Sequence, residues 1–170
     1  MRINNGNLEL QFEKAVRLLG KYMPKGETRK KPIIIHSLRV GFYLYQKGYS
    51  ENIIMAGLLH DVLEWTKYPK KTFEKEFGKK VYLLTLANTQ NSKIKDKVKK
   101  WQGMVDRCSQ AGEDALIVKA ADVIDSLQFY RKTKNQSEIQ RSIDIGKYVL
   151  QKAEGKRDEI FAELEKALRE

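Results

Sequence analysis

An all-α fold follows from three features of this sequence. Apolar residues recur at helical spacing through most segments. Only three prolines occur in 170 residues, and few stretches alternate β-branched and polar residues as strands do. The third feature is the stretch 52–65, NIIMAGLLHDVLEW, which is apolar almost all round. Such a segment reads as a helix at the centre of a domain rather than on its surface. The length fits one domain over residues 1–170, large enough to bury a core.

Taken in order, residues 6–22 set Leu8, Phe12, Ala15, Val16, Leu18 and Leu19 at helical spacing. A loop with Pro24, Gly26 and a crowd of basic residues follows, and Pro32 suits the start of a second helix over 33–47, which Gly48 ends. Ser50 is placed to cap the central helix, which runs on to about residues 67–69. Thr72 is read as the cap of a short helix around FEKEF, stopped by Gly78. Residues 79–90 predict another apolar helix. Ser92 is read as the start of a strongly basic one, with Ile94, Val98, Trp101 and Val105 as its narrow apolar stripe. That stripe reads as core packing rather than a base-stacking platform. A second nearly all-apolar helix is predicted over 113–130, then helices over 137–153 and 157–169 parted by Gly155.

Composition narrows the function. Hydrophobic residues are 41% and charged residues 32%, and no apolar run is long enough to span a bilayer. The N-terminus lacks the apolar core of a secretory signal, and the single cysteine, Cys108, excludes an internal disulfide framework. A cytoplasmic setting is expected. The net charge of +11 and the pI near 9.6 favour an anionic partner. Lysines crowd into 21–31, 67–80 and 93–100. They fit attraction of a small phosphorylated substrate, attraction of nucleic acid, or a merely solvated surface.

The chemistry concentrates in the apolar helices. His60, Asp61 and Glu64 share the central stretch, and in an unbroken helix Glu64 lies one turn from both of the others. The chain's other histidine, His36, also lies in an apolar run, and Asp122 sits in the middle of the 113–130 helix. Unpaired charge in apolar surroundings costs several kcal/mol, so such groups need partners. A divalent cation is the simplest. Singly, a histidine or aspartate on an apolar face is more often a hydrogen-bonded core residue, but here all four fall in the most apolar segments. Two imidazole nitrogens and two carboxylates from His36, His60, Asp61 and Asp122 suit Mn²⁺ or another first-row divalent ion with open positions. A closed structural zinc site would want thiolates that one cysteine cannot supply. Glu64 could take a proton from water or orient it. Lys119 has two readings: counter-charge to Asp122, or contact to a substrate phosphate.

The order His36, His60-Asp61, Asp122 resembles the HD-domain metal-dependent phosphohydrolases, and more narrowly the hydrolase domain of RelA/SpoT-type enzymes. The matching stretches are KPIIIHSLRV, AGLLHDVLEWT, FGKKV with LLTLANT, and VKAADVIDSL, over about residues 29–130. The resemblance implies a helical HD bundle, with His36, His60, Asp61 and Asp122 holding the metal. It implies hydrolysis of the 3′-pyrophosphate of guanosine alarmones with Mn²⁺. Glu64 matches the first acid of the family's Glu-Asp pair, and Trp65 stands where the second belongs. Ser37 replaces the family's proline after the first histidine, and Val123-Ile124-Asp125-Ser126 replaces its Arg-Leu-His-Asn. Its basic pair before the first histidine corresponds, with a gap, to Arg29-Lys30.

A stand-alone hydrolase of a nucleotide phosphate or pyrophosphate is therefore the expectation, with Arg29, Lys30, Lys119 and Trp65 meeting the substrate. The lysines of 21–31 and 67–80 would steer it. Two alternatives stay open. One is an HD-type nucleotide phosphomonoesterase; the other is a catalytically silent HD domain that binds nucleotide or nucleic acid. The oligomeric state is left open.

Overall fold

The computed structural model describes residues 5–25 and 30–170 and contains, among them, ten α-helices and no strand. The all-α expectation holds. The helices fall into two compact units, Met1–Leu86 and Ala87–Glu170.

The first unit holds α1 (Asn5–Tyr22), α2 (Ile33–Gln46), α3 (Glu51–Leu59), α4 (Val62–Trp65), α5 (Lys70–Phe77) and all but the end of α6 (Lys79–Asn88). Its core gathers Leu8, Leu19, Leu44, Ile54, Leu58, Leu59 and Phe73, all essentially inaccessible. Every residue of α3 from Ile53 onward is buried, as its all-round apolarity predicts. The α2–α3 contact is the most extensive in the unit, and each helix offers the other a glycine. A Cβ placed on Gly41 would lie 3.0 Å from Leu58 Cβ, and one on Gly57 would collide with Leu44 Cδ1. Both leucines are fully buried, so neither can swing aside.

Sequence and structure part at the central helix. It does not run unbroken through 52–65: α3 stops at Leu59, His60 and Asp61 form a turn, and α4 is a separate single turn. The His60 imidazole Nδ1 donates to the Gly57 carbonyl at 2.7 Å, the group an uninterrupted helix would offer to the Asp61 N–H. Asp61 turns to φ −90°, ψ −11°. Its own carbonyl then accepts from the Glu64 and Trp65 N–H groups and starts α4.

Two predicted caps are also corrected. Thr72 lies inside α5, whose N-cap is Pro69, a residue whose fixed φ suits a helix entrance. Ser50 does occupy the N-cap of α3, but its hydroxyl makes no capping bond. Gly78 ends α5 as expected, at φ +87°, a conformation strained for any residue with a Cβ.

The second unit contains α7 (Lys97–Ala111), α8 (Glu113–Lys132), α9 (Gln136–Lys152) and α10 (Glu159–Arg169). The basic helix starts at Lys97 rather than Ser92, because Asp96 accepts from the Lys99 N–H at 2.8 Å and caps it. Ile94 is thus left outside the helix, and Val98 faces solvent. Trp101 is buried, as the core reading expected, beside Met104, Val105 and Cys108. Burial pushes the Cys108 thiol up to about 11, so it stays protonated and unreactive near neutrality. The α8 helix packs against α7, α9 and α10. Near its periphery, Asp106 of α7 accepts from Tyr148 Oη at 2.9 Å and pairs with Lys152 Nζ at 2.8 Å, both on α9. Lys152 and Tyr148 together hold the Asp106 carboxyl below its ordinary range despite partial burial.

Two outcomes follow. Gly41→Ala should lower the unfolding free energy by about 1–3 kcal/mol, because a methyl group is forced against the stem of Leu58; urea denaturation reads this directly. Asp106 has a folded pKa lowered from 3.8. Its contribution is therefore present above that value and lost as pH falls through the lower folded pKa. Melting temperature across the acid range should fall less steeply in Asp106→Asn than in the parent protein.

Candidate metal centre

His36 enters on the first turn of α2, a helix apolar enough to bury its imidazole completely. His60 closes α3, and Asp61 follows in the turn before α4. The glycine-mediated contact of α2 and α3 brings the two rings edge to face, with centroids 5.0 Å apart and planes at 83°. Their Nε2 atoms lie 3.1 Å apart. Asp61 Oδ2 stands 3.4 Å from His60 Nε2 and 4.0 Å from His36 Nε2.

The hydrogen bonds determine what this cluster can do. A carbonyl only accepts, so His60 Nδ1 carries the proton in its bond to Gly57, and in the neutral ring Nε2 presents a lone pair. His36 Nε2 stands 2.8 Å from Lys31 Nζ, an ammonium that only donates, so it too presents a lone pair. Two nitrogen lone pairs and a carboxylate oxygen therefore converge at a buried point. These are atoms that repel one another unless a cation sits among them. Two ligands at about 2.0–2.1 Å and right angles on one ion lie about 3 Å apart, close to the spacing found. The donor set fits a divalent ion.

Other predicted site residues fall as follows. Glu64 and Trp65 both lie on α4; Glu64 is half-buried and Trp65 is exposed. The break at His60 means that Glu64 does not share a continuous helix with it. Lys30 is exposed, and Arg29 lies outside the described residues. Lys31, the neighbour of the predicted pair, reaches the His36 imidazole. Its spacing from His36, five residues earlier and across a helix start, gave no periodic signal.

Within the second unit, Asp122 sits midway along α8, flanked by buried Ala121 and Val123. Lys119 Nζ meets Asp122 Oδ2 at 2.8 Å, and Ser126 Oγ donates to Oδ1 at 3.3 Å. The Lys119 side chain is almost wholly buried. Of its two readings, the counter-charge role is the one this contact realises.

The HD domain family model matches residues 15–145, a span that holds His36, His60-Asp61 and Asp122. The chain belongs to the HD domain family. It is 29% identical over 128 residues to a guanosine-3′,5′-bis(diphosphate) 3′-pyrophosphohydrolase of Aquifex aeolicus, covering 71% of this chain and 18% of that protein. A GTP pyrophosphokinase of Streptomyces coelicolor is 36% identical over 87 residues, covering 50% of this chain and 10% of that protein. This HD protein thus spans less than a fifth of the length of either relative. Among solved structures, a metazoan ortholog of SpoT, described as hydrolysing ppGpp, matches with a TM-score of 0.77 at 20% identity. It covers 99% of this chain and 97% of that one. A Listeria monocytogenes protein matches with a TM-score of 0.67 at 19% identity, covering 85% and 98%. At those identities the two structures establish the fold, an HD-type helical bundle.

His36→Ala and His60→Ala should each strip the protein of a bound divalent ion, measured as metal content after purification in Mn²⁺. His60→Ala should also lower the melting temperature, because the Gly57 carbonyl loses its imidazole donor. Full metal occupancy in both variants would remove the site from consideration.

Proposed function

We propose that this chain is a divalent-metal-dependent phosphohydrolase of nucleotides. Its leading substrate is guanosine 3′,5′-bis(diphosphate), from which it would release the 3′-pyrophosphate. The observation that carries the reading is the convergence of His36 Nε2, His60 Nε2 and Asp61 Oδ2 within an HD-family chain. Two curated relatives with pyrophosphohydrolase names support the choice of substrate. The two units act as one hydrolase domain over residues 1–170, with Asp122 as the second carboxylate of the ligand set. Mn²⁺ is the proposed ion, since imidazole and carboxylate oxygen without thiolate suit it. When bound, it would lower the pKa of water and offset phosphate charge.

The remaining roles belong to side chains of this chain. Glu64, half-buried one turn past Asp61, takes the proton of the attacking water. Hydrolysis then leaves a 3′-hydroxyl on the nucleoside and free pyrophosphate. The lysines of 21–31 and 67–80 attract the polyanion; among them Lys31 already stands at the histidines. Arg29 and Lys30, which precede Lys31 in the sequence, are the proposed phosphate contacts. Trp65, exposed on α4, is proposed to stack on the guanine base.

Trp65 also supports a second reading. It replaces the second acid of the family pair, and an indole can only donate a hydrogen bond. A silent HD domain that binds a nucleotide without cleaving it would tolerate that loss.

A nucleotide panel assayed with Mn²⁺ separates the two readings. Glu64→Gln should reduce turnover at least about 10²-fold, the usual contribution of a positioned base. Trp65→Asp should raise turnover of the 3′-pyrophosphorylated guanosine nucleotide with metal content unchanged. Wild-type turnover in Glu64→Gln would show that Glu64 is structural. Tight nucleotide binding without hydrolysis would favour the silent domain.

A further inference from the structure

The lysine-rich segment 93–100 has no part in the hydrolytic reading. It carries five lysines, Lys93, Lys95, Lys97, Lys99 and Lys100, against one acid, Asp96. The Asp96 carboxylate is engaged with the Lys99 backbone N–H as the cap of α7. Four of the lysines are exposed and Lys100 is half-buried. None of the five forms an ion pair among the described residues, whereas Lys119 and Lys152 in the same unit each hold a carboxylate at 2.8 Å.

Their position adds to the unfavourable charge. Lys97, Lys99 and Lys100 occupy the first turn of α7, where the helix dipole is already positive and acidic residues are the stabilising choice. Glu51 in α3, Glu64 in α4, Glu113 and Asp114 in α8, Glu138 in α9 and Glu159 in α10 each place an acid in the first turn, whereas α5 and α6 open on pairs of lysines and α7 carries three there. A polyanion bound at this surface would offset the concentration of positive charge.

We propose that residues 93–100 form a docking surface for the phosphate backbone of nucleic acid. The composition favours this partner over an anionic bilayer. Val98 is the one exposed apolar side chain of the segment, and Trp101, its only nearby indole, is buried against Tyr148. An interfacial helix needs a broad apolar face to insert, and this segment lacks one. The buried tryptophan also leaves no ring on which bases could stack, so recognition rests on phosphate charge and is indifferent to base sequence.

The test is fluorescence anisotropy of a labelled 20-base-pair DNA duplex of arbitrary sequence, titrated with the whole protein across a salt series. Five phosphate contacts give a slope of log K against log salt of about −4.5. Lys97→Gln/Lys99→Gln/Lys100→Gln should make that slope shallower by about 2.7 units, at the same rate of about 0.9 per contact. Lys70→Gln/Lys71→Gln/Lys75→Gln, an equal loss of charge on α5, should leave it unchanged. Circular dichroism should show the first variant folded and no less heat-stable, since it relieves repulsion at a helix start. Equal slopes in the parent and the α7 variant would overturn the proposal, as would equal losses in the α5 and α7 variants. So would an α7 variant that binds duplex normally but loses affinity for phosphatidylserine vesicles.

Discussion

The contact of α2 with α3 is the constraint on which the first unit depends. Gly41 admits the stem of Leu58 and Gly57 admits the tip of Leu44, so the two helices pack more closely than larger residues at these positions would allow. That approach sets His36 Nε2 within 3.1 Å of His60 Nε2. Larger residues at either glycine would preserve both helices and still lose the site, because the donor atoms would move apart. The apolar residues around these glycines therefore serve geometry as much as stability.

Gly57 acts a second time through its backbone. Its carbonyl takes the His60 Nδ1 proton, which orients the ring, selects the tautomer that leaves Nε2 open, and coincides with the end of α3. The break lets Asp61 turn its carboxylate toward the imidazoles instead of following the helix around. Burying three electron-rich atoms together is unfavourable in apolar surroundings unless a cation compensates. Within the chain, the Lys31 ammonium supplies part of that compensation. The same three donor atoms are the ones that would hold the proposed divalent ion.

Charge in the second unit is handled in two opposite ways. On α8, the buried Lys119 and half-buried Asp122 sit one turn apart and neutralise each other inside an apolar helix. At the start of α7, lysines are gathered at the end of the helix where they repel one another and the dipole alike. The first arrangement belongs to a packed interior. The second belongs to a surface shaped for a polyanion.

Helical periodicity by itself determined the all-α class, the approximate extent of the main helices, and the burial of Trp101 and α3. The placing of His36, His60, Asp61 and Asp122 in apolar stretches also marked them as a group, because polar side chains stand out against an apolar pattern. Local propensity could not foresee the break at His60–Asp61, since it depends on an imidazole taking a carbonyl from its own helix. Nor could it foresee that Lys31 Nζ reaches the His36 imidazole, since that depends on the direction of one side chain at the entrance to α2. Asp96 and Pro69 displaced the predicted caps Ser92 and Thr72 for a related reason: each segment offers several residues able to begin a helix, and packing selects among them. Periodicity records which face of a helix is apolar. Only the tertiary structure decides how close two such faces come, and at this site that distance determines the chemistry.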